Sequence, residues 1–382
     1  MKIAIVGAGN GGCLTALHLG WYSRESKDIE VELIYNPDIS PEPVGQATTI
    51  LAPKLLWAAL GFNWYNNPIH ATLKTGILYE GWGNKENHFH EFAGDAVGMH
   101  FCPWELQDYI LKSKWFKVTE SNVLDVNNVD ADYVIDCRGK PKDLSNYEKL
   151  DNPLNACILA KPNWDTLQNP WSRHITTPDG WTFVIPTDES SPSHKNCVGY
   201  SYNNNITSKE DAEKNLLNMF DVEINKHIEF DNYVAKDAVI DGRIFLNGNR
   251  LFFLDPLESN SSAVYLTFAR NIINVILKKM TPEEANITIK RRIEQTKNFI
   301  LFHYQSGSKY NTPFWDYAKT FKFSDNLFDE FLQHSLNHDS FYCKSTSYGG
   351  MSDDNVGGYG VWEVFSFRNW VEGMGMTTAT KY

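Results

Sequence analysis

The sequence is short of positive charge: 35 Lys and Arg stand against 47 Asp and Glu, a formal net charge of -12. Nucleic-acid and anionic-membrane binders need clustered cations to displace counterions or meet headgroups, so neither partner is expected. No apolar run approaches the roughly 18 residues of a membrane-crossing helix. Strand-like sequence begins at Lys2, leaving no room for a signal peptide, which predicts a cytoplasmic protein. The six cysteines (Cys13, Cys102, Cys137, Cys157, Cys197 and Cys343) lie far apart, with no CxxC and no Cys/His metal spacing. Buried free thiols are expected, with neither disulfides nor zinc. His100, Cys102 and the other histidines show no ligand spacing either, so no metal is assigned. There is no GxSxG elbow, no internal repeat and no clean linker.

Hydrophobic residues make up 42% of the 382, enough to bury a sizeable core in one composite domain or two closely joined ones. Aromatic content is 14%, with 12 Trp. That fits either a large core or a pocket for a planar ligand.

Residues 2–6 form an apolar run without polar alternation, as in a strand buried on both faces. Gly7-Ala8-Gly9-Asn10-Gly11-Gly12 follows, then a helix over 13–21 and a strand over 31–35. This strand, turn, helix and strand context makes GxGxxG a dinucleotide fingerprint. Gly7 permits the tight turn, Gly9 lets phosphate approach the backbone, and Gly12 lets helix and strand pack closely. Phosphate then meets the helix N-terminus, where unpaired N–H groups and the dipole favour negative charge. The acidic residue that ordinarily holds ribose after the second strand is missing, and Tyr35-Asn36 stands there. Asn36, backbone or water would take that role, which weakens NAD more than FAD.

Further along, the pattern predicts helices over 53–60 and 103–112, and strands over 73–82, 116–126 and 133–137. Asp136-Cys137-Arg138-Gly139 is a D-x-x-G turn of the kind found where flavoprotein sheets meet their cofactor. Residues 140–180, rich in Pro, Asn and Trp, read as an excursion from the sheet. Strands of a second sheet are expected over 181–186 and 196–202. A helix over 208–220 is opened by Ser208 with Asp211 in capping-box spacing. A return to the first sheet at 250–254 and two long helices, 262–279 and 281–304, complete the pattern.

Several ordered segments resemble motifs of the flavin-dependent halogenases, particularly the tryptophan-halogenase-like group. Beside GxGxxG they are Val44-Gly45-Gln46-Ala47-Thr48, similar to VGEAT; Lys74 in Leu73-Lys74-Thr75-Gly76; and Trp181-Thr182-Phe183-Val184-Ile185-Pro186, similar to WxWxIP. Asp255-Pro256-Leu257-Glu258-Ser259 is similar to DPLES, and His303-Tyr304 and Thr312-Pro313-Phe314-Trp315 look like the HY and TPFW segments. Phe183 replaces the second Trp, and Asn260-Ser261 stands where the family usually has Thr-Gly.

The resemblance implies an α/β enzyme with an FAD-binding, Rossmann-like sheet of the glutathione-reductase or aromatic-hydroxylase type. A substrate portion of β-sheet plus C-terminal helices would interleave with it. The FAD part is expected over 1–60, 114–140 and 235–280, and the substrate part over 61–113, 141–234 and 281–382. FAD would contact Gly7, Ala8, Gly9, Gly12, Asn36, Gln46, Ala47, Thr48, Asp255, Pro256 and Leu257. A separate flavin reductase would supply reduced flavin, and oxygen and halide would then give hypohalous acid. Halide would bind near Ser259, Asn260 and Ser261. Lys74 would receive the oxidant, and Glu258 would orient it or accept the arene proton. Trp181, Phe183, Ile185 and Pro186 would separate flavin from substrate, and His90 and Phe92 would stack on the substrate. At this compact length the resemblance implies a less enclosed pocket for free electron-rich aromatic or heteroaromatic molecules, and would suit a phage-encoded member.

Each residue also has an ordinary reading. A lone lysine in a strand is usually solvated, Glu258 would suit the first turn of any helix, and Trp181 and Phe183 share one strand face as core residues do. A flavin monooxygenase hydroxylating an aromatic shares the fold without needing Lys74. A non-catalytic FAD-binding protein would keep the motifs without turnover.

Overall fold

The computed structural model describes residues 1–41, 43–92, 96–323, 358–359 and 362–375. It is an α/β architecture built on two large sheets. The apolar strand Lys2–Val6 lies inside a six-stranded sheet, pairing in parallel with Glu30–Tyr35 on one side and Tyr133–Asp136 on the other. Lys117–Glu120 extends one edge, and Ile244–Leu246 with Val239–Ile240 the other. The helix Asn10–Tyr22 starts directly after the glycine turn and packs against Ser261–Ile276, covering the sheet with Leu14 and Leu17.

The seven-stranded sheet runs in the order Val222–Glu229, Ala156–Pro162, Val198–Tyr202, Gly180–Val184, Ser172–Thr177, Gly76–Glu80 and Asn87–Glu91. All its pairs are antiparallel except Ser172–Thr177 with Gly76–Glu80. The helix Pro282–Ser306 opens with a complete capping box, Thr281 and Glu284 each bonding the other's backbone N–H. No helix among the described residues is long and apolar enough to cross a membrane. Cys13, Cys102, Cys137, Cys157 and Cys197 are buried free thiols, and Cys343 lies outside the described residues.

One reading of the sequence needs completing and three need correction. Residues 140–180 do leave the six-stranded sheet, but they carry strands of their own: Ala156–Pro162 and Ser172–Thr177 belong to the seven-stranded sheet, and Tyr147–Lys149 to a small one. The Pro, Asn and Trp residues there mark strand ends and loops, while Ala156–Ala160 forms a fully buried apolar run. The strand expected over 73–82 is two, Thr72–Lys74 and Gly76–Glu80, in different sheets. Thr75 makes the switch, donating its N–H to Pro170 and accepting from Phe92. Segment 116–126 keeps strand only at Lys117–Glu120, because Asp125 caps a short 3-10 turn at Val126–Asn128. At 250–254, Phe252–Phe253 pairs with Tyr233–Ala235, and it is Ile244–Leu246 that joins the first sheet.

The glycines of the opening turn have separable roles. Gly7 holds φ +105°, and a Cβ there would sit 2.5 Å from the Cys137 carbonyl oxygen. At Gly12 a Cβ would overlap the Gly7 carbonyl oxygen, whereas at Gly9 none of the described atoms lies within 4 Å. Gly12→Ala should therefore cost about 3 kcal/mol or more of stability through backbone collision. Gly9→Ala should leave chemical denaturation unchanged within about 0.5 kcal/mol and lower dinucleotide affinity in a fluorescence titration. Equal stability losses in the two variants would refute this division.

Candidate active site

A cavity of about 460 Å³ opens between the glycine turn and one face of the seven-stranded sheet. That volume lies within the ~300–1,000 Å³ usual for ligand sites. Of the residues expected to hold cofactor, Gly9, Gln46, Ala47 and Pro256 line it. Gly7, Ala8, Gly12, Thr48, Asp255 and Leu257 stand behind this lining. Thr48 fixes Met99 N–H, and the Ala8 carbonyl accepts from Gln107. Asn36 closes a local turn by accepting from Asp38 N–H at 3.0 Å. Asn10, at the start of the helix, donates to Gln46 at 2.5 Å and joins the glycine turn to the strand Gln46–Ala47.

Trp181, Phe183 and Ile185 form the opposite wall of the cavity. Trp181 and Phe183 occupy alternate positions of the central strand Gly180–Val184, with ring centroids 6.0 Å apart. Phe183 lies across its strand partner Gly199, where any Cβ would run into the ring. His174, also paired with Phe183, stands 4.8 Å from the Trp181 ring. Pro186 sits just beyond the strand, its carbonyl accepting from Thr72 Oγ1 at 2.7 Å.

Lys74 is 0% exposed and ends its strand with Nζ donating to Ser259 Oγ at 2.9 Å. Ser259 itself lines the cavity. Its φ of +54° is the left-handed region, a conformation costing roughly 1–2 kcal/mol in a non-glycine residue. Ser259 N–H closes the preceding turn onto the Pro256 carbonyl at 2.8 Å. Asn260 is the N-cap of the 16-residue helix Ser261–Ile276, with its side-chain amide nitrogen buried and unbonded within the described residues. Ser261 also faces the cavity. The segment expected to hold halide is thus the N-terminus of a long helix, where N–H groups lack intrahelical partners and the dipole favours an anion. Asn260 has φ -98°, so a conformation open to any residue serves where the family usually has Thr.

Glu258 is buried at 4% exposure, and its Oε1 accepts from both the Tyr79 hydroxyl and His303 Nε2, the latter at 2.7 Å. Burial works to raise this carboxyl. The His303 bond and charge, with help from His90 and Tyr79, reverse that and hold it at about 2. Three residues earlier, burial pushes Asp255 up to about 6 against the opposing bonds of Tyr304 and Asn152. Adjacent residues of Pro282–Ser306 thus grip the two carboxylates of one turn, His303 taking Glu258 and Tyr304 taking Asp255, the second at 2.5 Å.

His90 is buried with neither ring nitrogen bonded within the described residues, and burial lowers it to about 4. Its ring stands 5.4 Å from Trp370, and Phe92 lies 5.5 Å beneath Lys74 Nζ. His100 spans Thr72 and Ser172 at 3.0 and 2.9 Å. Among the described residues, no group of three or more His, Cys, Asp or Glu is arranged to hold a metal. Tyr79, His174 and Trp370 were not singled out from sequence. They adjoin the site through strand register and a distant helix, which no local motif signals.

The family model described as tryptophan halogenase matches residues 2–122 and 116–377. The chain is 23% identical over 220 residues to tryptophan 7-halogenase RebH of Lentzea aerocolonigenes, covering 52% of this chain and 40% of that one. The chain therefore spans about two fifths of the length of the curated relatives it matches. In three dimensions it resembles MibH, a lathipeptide tryptophan 5-halogenase, with TM-score 0.78, 17% identity, and coverage of 98% of this chain and 86% of that one. BrvH, a flavin-dependent halogenase from Brevundimonas sp. BAL3, gives 0.76 and 17%, with 99% and 90% covered. At such identities the structural likenesses show a shared fold.

Burial brings the Lys74 ammonium down from 10.5 to about 7, the Glu258 charge opposing. Between those values the unfolded chain holds the proton and the folded one does not, so Lys74 costs stability at and below neutrality, less as pH rises toward 10.5. Lys74→Met should therefore stabilise the fold by about 1–3 kcal/mol at neutral pH. The gain should shrink in alkaline denaturation curves. A net loss would mean that the Ser259 bond outweighs the buried charge.

Proposed function

This chain belongs to the tryptophan halogenase family, and on that premise we propose that it is a flavin-dependent halogenase acting on free electron-rich aromatic or heteroaromatic molecules. One observation carries the reading: the buried Lys74 amine meets the Ser259 hydroxyl, and that same serine lines the cavity on whose far side lies the dinucleotide turn. The open space over Gly9, the adjoining helix N-terminus and the aromatic wall suit a flavin dinucleotide. The reading assigns residues 1–60, 114–140 and 235–280 to the FAD part and 61–113, 141–234 and 281–382 to the substrate part. It is supported by the six-stranded sheet, whose strands all fall in the first set, and the seven-stranded sheet, whose strands all fall in the second.

Bound FAD, reduced by a separate flavin reductase, would supply the oxidation of halide by oxygen to hypohalous acid. The backbone N–H groups of Asn260 and Ser261 hold the halide at the helix N-terminus. Trp181, Phe183, Ile185 and Pro186 keep the arene away from the flavin cavity, and His90 and Phe92 offer faces for it to stack on. Ser259 hands the oxidant to Lys74. The Lys74 ammonium, populated together with its neutral form near pH 7, hydrogen-bonds the oxidant and polarises it. As the carbon–halogen bond forms, the halogen–oxygen bond breaks, Lys74 protonates the oxygen, which leaves as water, and Glu258 takes the ring proton. A proton returned from Glu258 to Lys74 restores both groups.

With FAD, a reductase, NADH, oxygen and halide, mass spectrometry over indoles and phenols should show one hydrogen replaced by one halogen. Lys74→Ala should lose that product by at least about 100-fold while still binding flavin. Retained activity would remove Lys74 from its role, and a gain of one oxygen without halide would make the enzyme a hydroxylase. Iodide and bromide are easier to oxidise than chloride, so in competition they should be incorporated at least as well. Preference for chloride would show the site overriding that order.

A further inference from the structure

The hydrogen bonds around His303 fix how its protons are arranged. Its Nδ1 lies 2.7 Å from the Phe299 carbonyl oxygen, one turn back on the same helix. A carbonyl can only accept, so Nδ1 carries a proton. Its Nε2 lies 2.7 Å from Glu258 Oε1, which also accepts from the Tyr79 hydroxyl. An ionised carboxylate can only accept as well. With Glu258 ionised, both ring nitrogens carry protons and His303 is an imidazolium. Both partners are almost fully buried, at 0% and 4% exposure, and an ion pair in such a place survives only with good geometry and added bonds. Here the additions are the Tyr79 hydroxyl and the Phe299 carbonyl.

Resting on the halogenase reading above, we propose that His303 is the positioning residue that keeps Glu258 ionised, so that Glu258 can accept the arene proton. His303 touches neither substrate nor cofactor in this account. It donates one proton toward Oε1, supplies the compensating charge, and is itself held by its bond to Phe299. The bond-making is that described above: the ring proton moves to Glu258 as the carbon–halogen bond is completed, and no further reactant enters. The titratable groups around the imidazole are Tyr79 on Gly76–Glu80, His88 and His90 on Asn87–Glu91, His174 on Ser172–Thr177, and Asp255 and Glu258 on the turn. The three histidines are all disfavoured as cations by burial, and Lys74, whose charge also acts on Glu258, bonds Ser259, so His303 is the basic side chain in direct contact with the carboxylate.

His303→Gln tests the proposal, because glutamine can still donate toward Oε1 but carries no charge. An adjacent positive charge lowers a carboxyl by about 1–3 pH units, so the acid limb of kcat for arene halogenation should move up by at least about one unit. KM and flavin binding should stay within about twofold, and hypohalous acid caught by a diffusible 1,3-diketone should be unchanged. An unshifted acid limb, or a loss of kcat equal at every pH, would overturn the role of His303. Trapped oxidant from wild type keeps that failure separate from failure of the halogenase reading, which would remove trapped oxidant and halogenated arene together. If His303→Gln does not fold, Tyr79→Phe answers the same question. With His303 in place its acid limb should move by less than about half a unit, and a full-unit shift would overturn the proposal.

Discussion

Glu258 is a carboxylate almost out of reach of water, and much of the site's arrangement follows from keeping it charged there. Removing a carboxylate from water carries an effective cost of several kcal/mol even after the protein relaxes. The groups that offset that cost come from remote parts of the chain. Tyr79 lies on the seven-stranded sheet and His303 on the long helix, while the turn bearing Glu258 leads into the helix that packs beside the glycine turn. One buried charge therefore ties together the sheet, the helix and the dinucleotide turn. The short HY and DPLE segments reflect a single structural fact, since consecutive helix residues hold carboxylates three positions apart.

The opposite shifts of those two carboxylates show environment, not residue type, setting their chemistry. Both lose solvation, yet Glu258 receives the charge of His303 by direct contact, while Asp255 receives mainly neutral donors from Tyr304, Asn152 and the Leu257 backbone. Neutral donors soften the desolvation of Asp255 without cancelling it. Asp255 is thus the more readily protonated of the two, while Glu258 stays ionised at neutral pH. Lys74 occupies a third state: buried, bonded to a neutral hydroxyl and assisted by Glu258, its ammonium is neither secure nor abolished near neutrality.

How much of this was legible in the sequence depended on how local the cause was. Gly7, Gly9 and Gly12 could be assigned separate roles beforehand because the steric demands of a strand, turn and helix are local, and the backbone spacing at each fits its role. Ser208 could be placed as a cap for the same reason. The ordinary readings of Lys74 and Glu258, a solvated lysine and an acidic first-turn residue, fail because both side chains are buried, and sequence carries no burial. Tyr79 was invisible because only the sheet change at Thr75 brings its hydroxyl to Glu258, and that change depends on Pro170 and Phe92. The strands within 140–180 were hidden for a related reason: loop residues dominate the composition of the segment and mask the buried runs at Ala156–Pro162 and Ser172–Thr177.

The sheet change also accounts for the burial of Lys74. Side chains of a continuous strand alternate between two faces, so Lys74 and Gly76 would share one face and Tyr79 would lie on the other. Breaking the strand at Thr75 frees the two halves from that alternation. Lys74 stays with the small sheet beside Gly98, while Tyr79 turns with the large sheet toward Glu258. Gly98 contributes by what it lacks: a Cβ there would press into Thr48 and the Phe92 ring, the ring that also lies beneath the Lys74 amine. The break thus separates two side chains that one strand would hold in fixed opposition, letting a lysine and a tyrosine five residues apart approach the same turn, one through Ser259 and the other through Glu258.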